Sequence, residues 1–229
     1  FYGYPMLSII PLLSLLVVLL VVGLLIFVLL LDTGRRGRDL ATAGKSIGLE
    51  YRPYAALSHE IRDAHFVLLE CGQFRHFRHL LEGRHPNGRY INTFDYSLIT
   101  PGGTSTQTLL LVECKLAAAE RFEIEKDTWL RQDTFCESLQ DPLYPLRPEQ
   151  KPMLLRRWHI SSDQPQNFWQ RLAPELSDWF LAHPNLHIEW SAGILLICRP
   201  HHLLEADQID EAIKHADDLC QLLAGKGKA

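Results

Sequence analysis

Leu12 to Leu31 is a run of twenty residues without a charge, in which only Ser14 and Gly23 depart from Leu, Val, Ile and Phe. Twenty helical residues rise about 30 Å, the thickness of a bilayer core. The run therefore predicts one transmembrane helix over 12–31, and the more polar remainder predicts a single soluble domain. Arg35, Arg36 and Arg38 follow the run, whereas Phe1 to Pro11 carries no charged side chain. Arginines beside a span stay on the cytoplasmic side. The expected order is an outer segment 1–11, a span 12–31, a basic juxtamembrane linker 32–38 and a cytoplasmic domain 39–229. Tyr2 and Tyr4 suit the outer interface, and Pro11 suits a first helical turn. A cleaved signal peptide fits less well, because its charge precedes a shorter apolar stretch. The span has no ionisable group with which to carry protons or ions. It also lacks the Gly-x-x-x-Gly pattern of self-associating helices.

Residues 1–38 hold one acid and three arginines, which leaves 26 acidic and 20 basic residues in the soluble part, a net charge of −6. That balance disfavours nucleic acid as a partner, since such binding needs a broad basic surface. About 190 residues suffice for one domain with a substantial core. The five cysteines, Cys71, Cys114, Cys136, Cys198 and Cys220, form no Cys-x-x-Cys pair, and most lie in apolar runs. They read as reduced, buried thiols, in agreement with a cytoplasmic domain.

Asp39–Ile47 reads as a short helix ended by Gly48. Ala64–Cys71 reads as a strand. Arg89–Ile99 alternates, with Tyr90, Asn92, Phe94, Tyr96 and Leu98 on one side, and Thr106–Leu116 returns after Pro101-Gly102-Gly103 as its hairpin partner. Further short strands are expected at 121–125 and 157–161. Four prolines between Asp141 and Pro152 predict an extended crossing. A helix is expected from Ser162 to His183, then a tight hairpin of His187–Trp190 and Gly193–Arg199. A last amphipathic helix is expected over 205–223, with Ile209, Ala212, Ile213, Ala216, Leu219 and Leu223 on one face. Tight turns favour antiparallel pairing, so the fold class is α+β, an antiparallel sheet with helices over one face.

The densest basic stretch contains Arg75, His76, Arg78, His79, Arg84, His85 and Arg89, interleaved with Phe74, Phe77, Leu80 and Leu81. It reads as a solvated loop or short helix between strands, as a contact for anionic lipid headgroups, or as a dock for an acidic partner. The histidine pairs His76/His79, His183/His187 and His201/His202 lack the spacing of a zinc enzyme or a structural zinc site. There is no nucleophile elbow and no phosphate-binding loop. Asp95 stands between Phe94 and Tyr96, and the alternation puts it on the exposed side of the pleat. A buried Asp95 paired with an arginine is the alternative. Trp169 and Trp179 read as core, and Trp129 and Trp158 as possible contact residues.

The pattern Cys71-Gly72-Gln73-Phe74-Arg75, Gly83, Phe94-Asp95-Tyr96, Gln107-Thr108, Trp190 and the Gly193–Cys198 strand resembles a group of uncharacterised bacterial single-pass membrane proteins. The resemblance implies an N-terminal span in the bacterial inner (cytoplasmic) membrane and a cytoplasmic α+β domain. It implies no activity and no catalytic residues. These readings together lead to a non-enzymatic accessory or assembly subunit of a larger integral membrane complex, with no cofactor. The alternatives are a membrane-tethered enzyme or small-ligand-binding domain with a pocket between sheet and helices, and a regulator touching anionic lipid.

Overall fold

The computed structural model describes residues 9–71, 73–100, 103–117, 120–125, 143–147, 155, 158–172 and 174–225; the side chains of 9–10, 25–33, 73, 100 and 171 lie outside this set. The chain divides into two units, Phe1–Asp39 and Leu40–Ala229.

Helix α1 (Ile9–Ser46) is continuous for 38 residues. No break separates the apolar run from the arginines: Asp32 to Arg38, expected as a linker, is helical, and the short helix expected at 39–47 is the end of the same element. No proline interrupts the stretch, and an interior glycine costs a helix only about 1 kcal/mol. Leu12 to Leu24 have exposed side chains around the whole circumference, from 46% at Val22 to 69% at Leu12. Among the described residues no helix is long and apolar enough to cross a membrane. The apolar stretch with described side chains, 11–24, is 14 residues long, about 21 Å of helix. The fold by itself therefore does not establish the expected span.

The second unit is built on one sheet. Its strands are β1 (Glu50–Tyr54), β2 (Gln73–Arg84), β3 (Tyr90–Thr100), β4 (Gly103–Glu113), β5 (Phe122–Glu125), β6 (Tyr144–Pro145), β7 (His159–Ser162), β8 (His187–Ser191) and β9 (Ile194–Cys198). The order across the sheet is β1-β2-β3-β4-β9-β8-β5-β7-β6, with every neighbouring pair of described strands antiparallel. The helices are α2 (His59–Asp63), α3 (Val67–Glu70), α4 (Pro165–Phe168), α5 (Pro174–Ala182) and α6 (Ile209–Leu223). The expected α+β class and antiparallel pairing are present.

Both faces of the sheet are covered, where one was expected. On the first face Leu110, Val112, Leu195 and Ile197 pack with Leu176 and Phe180 of α5 and with Ile209, Ile213, Ala216 and Leu219 of α6. On the second face Phe94, Tyr96, Leu109, Leu111 and Leu196 pack with Ile61 of α2 and Val67, Leu68 and Leu69 of α3. The unbroken run Leu109–Val112 is the sequence counterpart: a strand buried on both sides loses its alternation. Gly44 belongs to the first face. A Cβ there would sit 2.5 Å from Leu81 Cδ2 and 3.2 Å from the Leu49 carbonyl oxygen, so the last turn of α1 needs a glycine to approach β2.

Three local expectations are corrected. Residues 67–70 form helix α3, not a strand; a short apolar run looks the same in either state, and here Val67, Leu68 and Leu69 are all buried. Residues 73–84 form a strand of twelve, not a loop or short helix. Two β-bulges, between Gln73 and His76 and between Arg78 and Leu81, insert extra residues, and Phe74 and His79 adopt positive φ within them. The bulges stretch the strand's period, so that Phe77 and Leu80 bury in the same core three residues apart. The helix expected after Ser162 is broken into α4, a 3₁₀ turn at Trp169–Arg171 and α5. Pro174 forces the break, because it lacks an N–H and disfavours helical backbone before it.

The hairpin of β8 and β9 is joined by Ala192 and Gly193, at φ 51° and 81°. Two positive φ values make the turn type whose twist matches the strands. In the proline-rich stretch, β6 and the buried Leu146 continue the sheet, as an extended crossing requires. Trp129, Cys136 and the other prolines of that stretch lie outside the described residues.

Candidate functional site

Two histidine-bearing places stand out, one on each face of the sheet. On the second face, the registers Glu123↔Glu189 and Ile124↔Ile188 set Glu123 and Glu125 of β5 beside His187 and Glu189 of β8. All four are buried, none more than 2% exposed. The His187 ring is bonded at Nδ1 to Glu125 Oε2 at 3.2 Å and at Nε2 to Glu189 Oε1 at 2.8 Å. The Glu189 carboxylate also accepts the backbone N–H groups of Val67, at 2.6 Å, and Leu68, at 2.8 Å. It thus caps the first turn of α3, which packs on the same face. Burial alone would push the His187 imidazole down, but the carboxylates of Glu125 and Glu189 outweigh it and raise the ring to about 10. His187 is therefore an imidazolium at neutral pH, an internal cation between carboxylates.

Glu123, Glu125 and His187 form a set that could hold a metal ion, with ligand atoms within 4.8 Å of one another. A metal would first have to displace the proton from His187, since an imidazolium has no lone pair to give. The sequence reading missed this group. Glu125 and His187 are 62 residues apart in the chain, and only the pairing of β5 with β8 joins them.

On the first face a cavity of about 400 Å³ opens between the sheet, α5 and α6. Its origin is local. Strand β9 ends at Cys198, before Pro200, which cannot continue a central strand. Beyond the last β4–β9 pair, Leu109↔Cys198, the chain leaves the sheet. The Thr108 N–H then donates to the His202 carbonyl at 3.0 Å, and the Leu204 N–H donates to Thr108 Oγ1 at 3.0 Å. The Thr108 hydroxyl donates in turn to Asp95 at 2.8 Å. Asp95 is thus buried, against the expected exposed position, with a hydroxyl partner.

The buried lining is apolar: Leu110 and Ile197 from the sheet, with the half-buried Leu186, Leu204 and Ala212 beside them. The polar lining is mixed: Arg199, Asn185, Gln208 and Glu211 are exposed, and His183, His202 and His215 are half-buried. His183 Nδ1 donates to the Trp179 carbonyl at 2.8 Å, which leaves Nε2 as its second nitrogen. Its ring stacks on Trp179 with centroids 4.1 Å apart and meets His215 edge-on at 5.0 Å. Glu211, the one acid in the lining, lies 3.9 Å from His215 Nε2.

The basic stretch singled out in the sequence does not come together as one patch. Strand β2 sets Arg75 and Arg84 nine residues apart, about 30 Å along a strand. Arg78 lies opposite Asp95 and Arg84 opposite Tyr90, so the two face opposite sides of the sheet. Arg75 donates to the Leu69 carbonyl, and Arg84 to the Gly88 carbonyl within the turn. His79 is buried, with Nδ1 2.9 Å from the Tyr51 hydroxyl. His85 is buried and lies 3.1 Å from Asp210 of α6. Arg75, His76, Arg78 and Arg84 stay exposed, the first three beside Phe74, which is 70% exposed. Of the orienting arginines, Arg35 pairs with Asp39 at 3.8 Å on exposed helix, and Arg36 and Arg38 lie on the same helix.

Cys114, Cys198 and Cys220 are buried free thiols, as expected. A hydrogen bond with Cys114 and then burial push the Cys220 thiol up, and burial pushes Cys198 up, so neither is a nucleophile at neutral pH. Cys71 departs from the expectation: it is disulfide-bonded.

No family model matches the chain, and no curated protein matches it. Among solved structures, the chain is similar to the crystal structure of the mycobacterial trehalose monomycolate transport factor A, TtfA, with a TM-score of 0.59 at 14% identity, over 82% of this chain and 93% of that one. At that identity the likeness shows the fold.

Proposed function

We propose that this chain is a membrane-anchored accessory subunit, which holds an α+β domain at the cytoplasmic face of a larger inner-membrane protein complex and works by contact rather than turnover. The observation that carries the reading is the apolar exposure of α1. Leu12 to Leu24 expose leucine and valine on every side of the helix, and each such side chain gains about 1.5–3 kcal/mol on leaving water. The uncharged sequence continues to Leu31, which brings the segment to bilayer length. A fold shared with a protein named as a transport factor supports an accessory role in membrane transport.

Orientation rests on Arg35, Arg36 and Arg38, which favour a cytoplasmic domain. The free thiols agree with a reducing compartment, whereas the disulfide at Cys71 is the mark of an oxidising one. We keep the orientation that the arginines favour, since charge beside a span acts on insertion itself. The contact surface toward anionic lipid or an acidic partner reduces to Phe74, Arg75, His76 and Arg78, because His79 and His85 are committed inside the fold.

One experiment tests anchoring and orientation together. Membranes are washed in alkaline carbonate, and right-side-out spheroplasts are treated with protease. The chain should stay in the membrane pellet and its domain should survive protease until the cells are lysed. Release by carbonate ends the anchor reading. Digestion in intact spheroplasts reverses the orientation and agrees with the Cys71 disulfide.

A further inference from the structure

We propose that the cavity between the β4–β9 part of the sheet and helices α5 and α6 binds a small amphiphilic anion, with its apolar body against Leu110, Ile197 and Leu204 and its carboxylate or phosphate head at Arg199. This site goes beyond the anchoring role and does not rest on it.

Size comes first. A cavity of about 400 Å³ falls within the range of about 300–1,000 Å³ typical of small-molecule sites. The lining then selects the chemistry. Its buried part carries leucine and isoleucine side chains and takes an apolar body. Its polar part carries the exposed Arg199 and the half-buried His183 and His202, and its acid among the described residues, Glu211, lies beside His215. Among the described residues the Arg199 guanidinium makes no hydrogen bond or ion pair, and its planar fork matches a carboxylate or phosphate.

The mouth is also held in place. Thr108 binds the loop at both the His202 carbonyl and the Leu204 N–H. The Gln208 side-chain oxygen accepts the Glu205 N–H at 3.0 Å at the start of α6. These bonds hold the backbone of the loop that follows Arg199 and carries His202. Trp179 and the His183 ring stacked on it also line the cavity.

The test uses the full chain in nanodiscs of zwitterionic lipid, with empty nanodiscs as the reference, titrated calorimetrically with octanoate, octyl phosphate and octanol. Octanoate or octyl phosphate should bind one per chain, and the better of the two distinguishes a carboxylate source from a phosphate source. Octanol should bind about tenfold more weakly, the equivalent of about 1.4 kcal/mol for one charged contact. Arg199→Gln should weaken the anion by a similar factor and leave octanol unchanged. Ala212→Phe should abolish binding of all three by filling the cavity, and Ala212→Ser, which keeps the space, should not. Equal affinity for octanol and octanoate, or no effect of Arg199→Gln, overturns the anionic head. Unchanged binding in Ala212→Phe overturns the cavity as the place of binding.

Discussion

The two faces of the sheet each gather histidines and acids, and they use them in opposite ways. On the second face His187 is fully buried, and both of its nitrogens are bonded to carboxylates. On the first face His183, His202 and His215 are half exposed, and His183 commits one nitrogen to its own helix. Burial with both ring nitrogens bonded to carboxylates makes a structural ion cluster, because removing one member strands the others in a poor solvent. Partial burial beside an empty space leaves donors that a ligand can take. The same residue type therefore signals structure on one face and binding on the other, and the number of partners around it separates the two.

The largest expected effect breaks the closed side. His187→Gln removes the cation between Glu125 and Glu189 and should cost about 3–5 kcal/mol, measured by guanidinium unfolding of the full chain in mild detergent, read by tryptophan fluorescence. A loss under about 1 kcal/mol would mean that the cluster relaxes or admits water, and the contrast between the faces would fail.

A pH series sharpens the same point. The His187 pKa is raised in the folded state to about 10, so its contribution is fully present below its unfolded value near 6.5 and is lost as pH rises through about 10. The melting temperature should fall from pH 7 to pH 10 more steeply in the native chain than in His187→Gln. Parallel curves would show that the ring is neutral in the fold.

The smallest effect belongs to the open side. His183→Ala and His202→Ala should each change stability by less than about 1 kcal/mol in the same unfolding assay, since both side chains are only half-buried. A larger loss would turn the cavity's rim into structural framework and weaken its assignment as a site.

Much of the framework was legible along the chain because its signals are local. The alternation of 90–98, the hairpin of 187–199 and the apolar face of α6 each depend on neighbours within a few residues, and each formed, the hairpin with its turn at Ala192-Gly193, one residue beyond the expected Ser191-Ala192. Strand β2 was not legible, because two bulges replace the two-residue period with one that imitates a helix. Nor was helix α3, whose apolar run carries no period at all.

For the functional residues the division is sharper. The apolar run of 12–31, the arginines after it and the acidic balance of the domain are properties of composition and order, so the sequence alone determined them. Asp95 looked exposed by alternation and is buried, because a second layer of structure covers the face it points to. The tertiary structure alone decided the fate of the histidines. It divided the basic stretch of β2 between two faces and two buried contacts. It brought Glu125 to His187 across 62 residues of chain. It also left His183, His202 and Arg199 around an open cavity. A side chain's charge and bonding depend on what surrounds it in space, and those surroundings are set by strand register and layer packing between segments distant in the chain.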